Sequence, residues 1–121
     1  MPSRDTVDAF VASVERGDYV GAIERFYAKN ASMQENIDPP RAGRETLVVH
    51  ERHVMAAFKS ITAKKIGPAI VDGDRVGIRW RFAFEPFEGS PHTLEEIAWQ
   101  HWRGEQILEE TFFYDPKQMG R

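Results

Sequence analysis

The chain has 121 residues, 41% hydrophobic and 29% charged, a globular balance in a length suited to one domain that buries roughly two-thirds of its unfolded surface. Its net charge of −3, with Lys and Arg scattered, offers no basic stripe for nucleic acid and no polybasic run for a membrane surface. The absence of cysteine excludes disulfides, thiolate catalysis and zinc–thiolate sites, and no window approaches the ~20 apolar residues of a membrane span.

The N-terminal MPSRDTVDAF lacks the apolar core of a signal peptide and reads as the start of a helix, which fits a cytoplasmic protein. Val7, Phe10, Val11 and Val14 recur at i, i+3, i+4 and i+7, an amphipathic helix with Ser3 or Asp5 as cap. Gly17 ends it, and Asp18 caps a second helix that buries Ile23, Phe26 and Tyr27. A short strand is expected over 31–35, a loop at Asp38-Pro39-Pro40, and a third helix over 43–58 with Leu47, Val54 and Phe58 toward a core. Residues 61–71 read as strand interrupted at Gly67-Pro68, and Asp72-Gly73-Asp74 is a strong hairpin signal. In the next strand, 75–84, Val76, Ile78, Trp80, Phe82 and Phe84 share one face, and Arg75, Gly77, Arg79, Arg81 and Ala83 share the other.

After a turn over 85–91, residues 94–115 read as a second hairpin. Glu96, Ala98, Gln100 and Trp102 fall on one face of its first strand; Glu95, Ile97, Trp99 and His101 fall on the other. A sheet with one wet face alternates apolar and polar residues cleanly, and this hairpin does not. Both faces therefore have something to cover: a ligand cavity on one side and a partner subunit on the other. The order ααβα followed by four strands argues for an α+β domain over 1–121, with the sheet curling around the helices.

The segment FVASVERGDYVGAIERFYAKNASM (Phe10 to Met33), then PPRAGRE, then the terminal GEQILEETFFYD resemble the NTF2-like superfamily, particularly its SnoaL-like and ketosteroid-isomerase-like members. The resemblance covers nearly the whole chain. It implies three N-terminal helices packed in a curved, mixed or antiparallel sheet that forms a cone. Because this fold hosts isomerases, cyclases, epoxide hydrolases, dehydratases and non-catalytic binding domains, it does not fix the activity.

Glu35 matches the position where ketosteroid-isomerase-like proteins carry a carboxylate general base, and with Met33 it should face the cone; the competing reading is an ion pair with Arg41 or Arg44 at the rim. Asp115, eight residues after Ile107, matches the acid/base aspartate of SnoaL-like cyclases, and is equally a strand terminator before Pro116. Glu96 is expected in the cone, where a structural ion pair with an Arg of a neighbouring strand competes with an assisting catalytic role. Trp80, Phe82, Gln100, Trp102, Phe10 and Tyr27 are the further candidate ligand-binding residues, with core packing as the alternative. Against the isomerase pattern, Phe10 stands where those enzymes carry an oxyanion-stabilising tyrosine and Ala98 where they carry a protonated aspartate, which argues against steroid isomerase activity. Tyr19, Tyr27 or Trp80 remain as alternative donors.

His50 and His53, in HERH, do not have the HExxH zinc spacing, and their face, with Glu51 and Arg52, reads as wet; no metal site is expected. Arg79 and Arg81 lie opposite the Val76-Ile78-Trp80 face, so an outer role is expected for them. With Ile97, Trp99 and His101 they form a mixed patch that an isologous homodimer would cover, as is common in the resembled family. The expected function is binding of a small apolar or aromatic metabolite, with cofactor-independent isomerase or cyclase chemistry by Glu35 assisted by Asp115 or Glu96. The alternative is a non-catalytic ligand-binding or dimerisation module.

Overall fold

The computed structural model describes residues 1–119, which form three α-helices, seven strands and a terminal 3-10 turn. Helix α1 (Arg4–Glu15) starts where the Ser3 hydroxyl accepts the Thr6 N–H at 3.2 Å, and it buries Val7, Phe10, Val11 and Val14. Gly17, at φ +85°, turns the chain. Asp18 then caps α2 (Tyr19–Phe26) by accepting the Gly21 N–H at 3.0 Å.

Tyr27 belongs to a strand, not to the second helix as its spacing suggested. β1 runs Tyr27–Glu35, starting four residues earlier than expected, because Tyr27 and its successors are drawn into parallel pairing with β7 (Gln106–Phe113). A two-residue strand, β2 (Arg41–Ala42), returns alongside β1. α3 is Arg44–Ala56, opened by Gly43 at φ +96°. Phe58, expected to end that helix, instead begins β3 (Phe58–Lys65). Gly67-Pro68 separates β3 from the short β4 (Ile70–Asp72), so five strands rather than four follow α3 among the described residues. Asp72 pairs with Arg75 across Gly73-Asp74, the expected two-residue hairpin. β5 (Arg75–Pro86) and β6 (His92–Arg103) are the long central strands.

The strand order is β2-β1-β7-β6-β5-β3, with β4 on the edge of β5; β1 with β7 is parallel and the other described pairs are antiparallel. This open, curved sheet wraps the three helices, the α+β cone implied by the resemblance. The core joins Val7, Phe10 and Val14 of α1, Ile23 of α2 and Leu47 of α3 to the inner sheet residues Val76, Ile78, Ala98 and Ile107. Burial alternates along β6 as the sequence indicated: Glu96, Ala98, Gln100 and Trp102 are buried, whereas Ile97 and Trp99 are exposed. No described helix is long and apolar enough to cross a membrane.

A carboxylate-lined cavity as candidate functional site

The concave face of the sheet and the helices leave a cavity of about 490 Å³. Phe10, Tyr27, Met33, Trp80 and Phe82 line it, as proposed from the sequence, together with Phe84 and Phe112. Four carboxyls enter this apolar lining: Glu35 from β1, Glu51 from α3, Glu96 from β6 and Glu110 from β7. Alternation explains three of them. Met33 and Glu35 share the inner face of β1, Glu96 continues the inner row of β6, and Glu110 lies one inner position from Phe112 on β7.

Glu35 lies 3.5 Å from Arg41, the rim ion pair foreseen as its competing reading, and still lines the cavity. Glu96 corrects an expectation. No arginine reaches it, because Arg79 and Arg81 project to the opposite face and share Glu95 at 2.8 and 2.7 Å. Among the described residues Glu96 has neither hydrogen bond nor ion pair, although it is only 9% exposed. Burial pushes its pKa up to about 8, and the charges of Glu110, Glu35 and Glu51 add to the shift. At neutral pH it is mostly a neutral acid.

Glu110 went unnoticed in the sequence and is the best-held acid of the set. It is 2% exposed and accepts hydrogen bonds from the Tyr27 hydroxyl and from Gln100 Nε2, the latter at 2.6 Å. Burial pushes its pKa up to about 7 against the lowering effect of those two bonds. Burial, with the Glu110 charge next, holds the Tyr27 phenol well above its usual range.

Gln100 and Trp102 are corrected from cavity walls to support. Both are fully buried and neither lines the cavity; Trp102 Nε1 donates to Gln100 Oε1 at 2.9 Å, which orients the Gln100 amide toward Glu110. Asp115 is also corrected. β7 ends at Phe113, and the exposed Asp115 accepts the Lys117 N–H at 2.9 Å, which starts the 3-10 turn Pro116–Met119; Asp115 itself does not line the cavity, although Tyr114 and Met119 do. The Tyr19 hydroxyl, an alternative donor, is engaged by the Ile61 carbonyl at 2.9 Å, and burial raises its pKa to about 12.

The face of α3 read as wet is corrected in part: Arg52 and His53 are exposed, whereas His50 and Glu51 are half-buried. His50, Glu51, His53 and Val54 line the cavity; burial raises the Glu51 pKa, and burial with Arg41 lowers that of His50. Glu51 and Val54 follow Leu47 at i+4 and i+7, so the apolar stripe already named that side of the helix.

A small α+β cone, an open curved sheet wrapped around three helices, defines the class of the protein. The chain belongs to the SnoaL-like domain family, whose model matches residues 7–110. Solved structures share the fold. A candidate SnoaL-like polyketide cyclase from Mesorhizobium loti superposes with TM-score 0.78 at 23% identity, over 94% of this chain and 100% of that one. A hypothetical protein with ketosteroid isomerase-like fold from Catenulispora acidiphila, in complex with trimethylamine, gives 0.78 at 20% identity over 93% and 87%. An NTF2-like protein of unknown function from Burkholderia pseudomallei gives 0.81 at 14% over 95% and 92%. No curated protein matches the chain.

Proposed function

We propose that the protein binds a small apolar or aromatic molecule in this cavity and moves a proton on it without a cofactor, with Glu35 as base and Glu96 as acid. The observation that carries this reading is the unpartnered Glu96 carboxyl buried in an apolar cavity, where burial pushes its pKa up to about 8. It stands one inner position before Ala98, so the neutral acid missing at Ala98 is offered one step along the same strand. The volume suits a small organic ligand, and the Mesorhizobium neighbour is a candidate SnoaL-like polyketide cyclase.

The test begins with ligands that co-purify with the protein, identified by mass spectrometry and returned to it in deuterium oxide. Wild type is expected to exchange a carbon-bound proton, and Glu35→Gln to lose the exchange by roughly a hundredfold or more, the usual contribution of a general base. Exchange at the wild-type rate in the variant removes Glu35 from the role. A ligand held by wild type with no exchange leaves the non-catalytic binding module.

For the outer face we propose a second copy of the chain as partner. Ile97, Trp99 and Phe113 are 42%, 46% and 49% exposed and cluster on adjacent strands, since Ile97 pairs with Phe113 and Trp99 follows at the next outward position. Arg79, Glu95 and Arg81 form a mixed-charge set beside them, and His101 sits between Asp74 and Glu109 at 3.0 and 3.3 Å. Such a surface can meet its own copy about a two-fold axis with both charge signs on each side.

A further inference from the structure

We propose that the cavity selects a ligand carrying a basic nitrogen (an amine, an imine or an azaheterocycle on an apolar or aromatic frame) and holds it as a cation against Glu96. The inference deepens the reading of the cavity as a small-molecule site and rests on it. Its basis is the sign of charge that the cavity is built to receive.

Glu96 opens into the cavity unpartnered and nine-tenths buried. The titratable groups that line the cavity with it are Tyr19 from α2, Tyr27 and Glu35 from β1, Arg41 from β2, His50, Glu51 and His53 from α3, Glu110 from β7, and Tyr114. Among these, Arg41 is the one guanidinium or ammonium group; its Nη1 lies 3.5 Å from Glu35, while its buried Nε has no hydrogen-bond partner among the described residues. Glu110 is satisfied by two neutral donors, Tyr27 and Gln100, which brings no positive charge. A full negative charge on a ligand beside Glu96 would meet Glu51 and Glu110, with Arg41, shared with Glu35, as the one guanidinium of the lining. Positive charge there gains an ion pair with groups whose desolvation the fold has already imposed. The walls agree, because Tyr27, Trp80, Phe82 and Phe84 line the same space, and aromatic side chains can attract cations.

The proton balance closes without another reactant. Glu96 enters as the acid and the ligand as the free base: the Glu96 O–H bond breaks, an N–H bond forms, and a carboxylate–ammonium pair results. For an imine, the iminium so formed acidifies the neighbouring C–H. Glu35 takes that proton, the C–H electrons become the enamine double bond, and the C=N π pair returns to nitrogen. A permanently charged ligand has no site for the proton and must expel it to solvent, which gives the measurement its signature.

Calorimetry of the full chain at pH 7, in buffers of different ionisation enthalpy, would compare benzyltrimethylammonium, its neutral carbon isostere neopentylbenzene, and phenylacetate. The cation is expected to bind about tenfold or more tighter than the isostere, with proton release, and phenylacetate weakest of the three. Glu96→Gln is expected to lower the affinity for the cation by about tenfold and abolish most of the release, and Glu96→Asp to restore both in part. Equal binding of cation and isostere, or tightest binding of phenylacetate, overturns the charge selection while leaving the cavity a small-molecule site. Cation binding unchanged in Glu96→Gln overturns the assignment to Glu96. Binding of none of the three overturns both this inference and the reading on which it rests.

Discussion

A carboxyl that keeps its proton in the folded chain couples stability to pH, and the sign follows from where that proton is lost. The ordinary value for Glu96 is 4.5 and burial carries it to about 8. Between those values the unfolded chain has released the proton while the folded chain retains it. The stabilisation is therefore complete below pH about 4.5, declines as pH rises through the window, and is gone above about 8. Glu110 acts in the same direction up to about 7. Denaturant unfolding at several pH values from 5 to 8 should show stability falling, by an amount on the order of a few kcal/mol at ~1.4 kcal/mol per pKa unit. Glu96→Gln should flatten much of that slope; an unchanged slope would place the titrating proton elsewhere. The sequence placed Glu96 and Glu35 correctly because strict alternation fixes which side of a strand a residue takes. It misplaced Gln100 and Trp102 as walls, since alternation separates inside from outside but does not say how far into the core the inside row extends. Glu51 and Glu110 were legible on the same grounds, at i+4 from Leu47 and two residues from Phe112, and were passed over because charged residues are ordinarily assigned to solvent.

At the scale of the element, α2 is only eight residues long and depends on its start. The Asp18 carboxylate lies over Gly21 so closely that a Cβ there would sit 2.2 Å from Oδ2. Gly21→Ala gains about 1 kcal/mol of helix propensity yet dislodges a cap that contributes about 0.5–2 kcal/mol, so little net stabilisation is expected. In an Asp18→Ala background the same substitution should recover the full ~1 kcal/mol of propensity. A double-mutant cycle by thermal or urea unfolding would read the difference; simple additivity would mean that the cap and the glycine are independent. The helices were legible to within a few residues because Ser3, Gly17, Asp18 and Gly43 mark their ends locally. The ends that went wrong, Tyr27 and Phe58, are set by strands distant in sequence. Tyr27 pairs with Ile107 and Phe58 with Pro86, so no local signal could have placed them.

On the scale of the whole molecule, the fold was legible because its order of elements, and not any one motif, carried the resemblance. The outer face gives the expectation for assembly. Trp99 lies across Gly77 on the neighbouring strand, a Cβ at Gly77 being 3.5 Å from its ring, and stays 46% exposed. Sedimentation velocity should find two chains together in wild type and one in Trp99→Glu, with unchanged circular dichroism; a monomeric wild type would refute the pairing. The parallel pairing of β1 with β7 has a different kind of consequence. Tyr27 and Glu110 meet only when strands from opposite halves of the chain lie side by side, with Tyr27 opposite Ile107 and Met33 opposite Glu110. Closing that long loop carries an entropic cost that the contact must offset. The two long central strands, β5 and β6, do not complete the cavity by themselves, because β1 and β7 supply Tyr27, Met33, Glu35, Glu110 and Phe112 to it. β7 supplies Glu110 and Phe112 to the lining, so the acids of the site come together only with β7 in place.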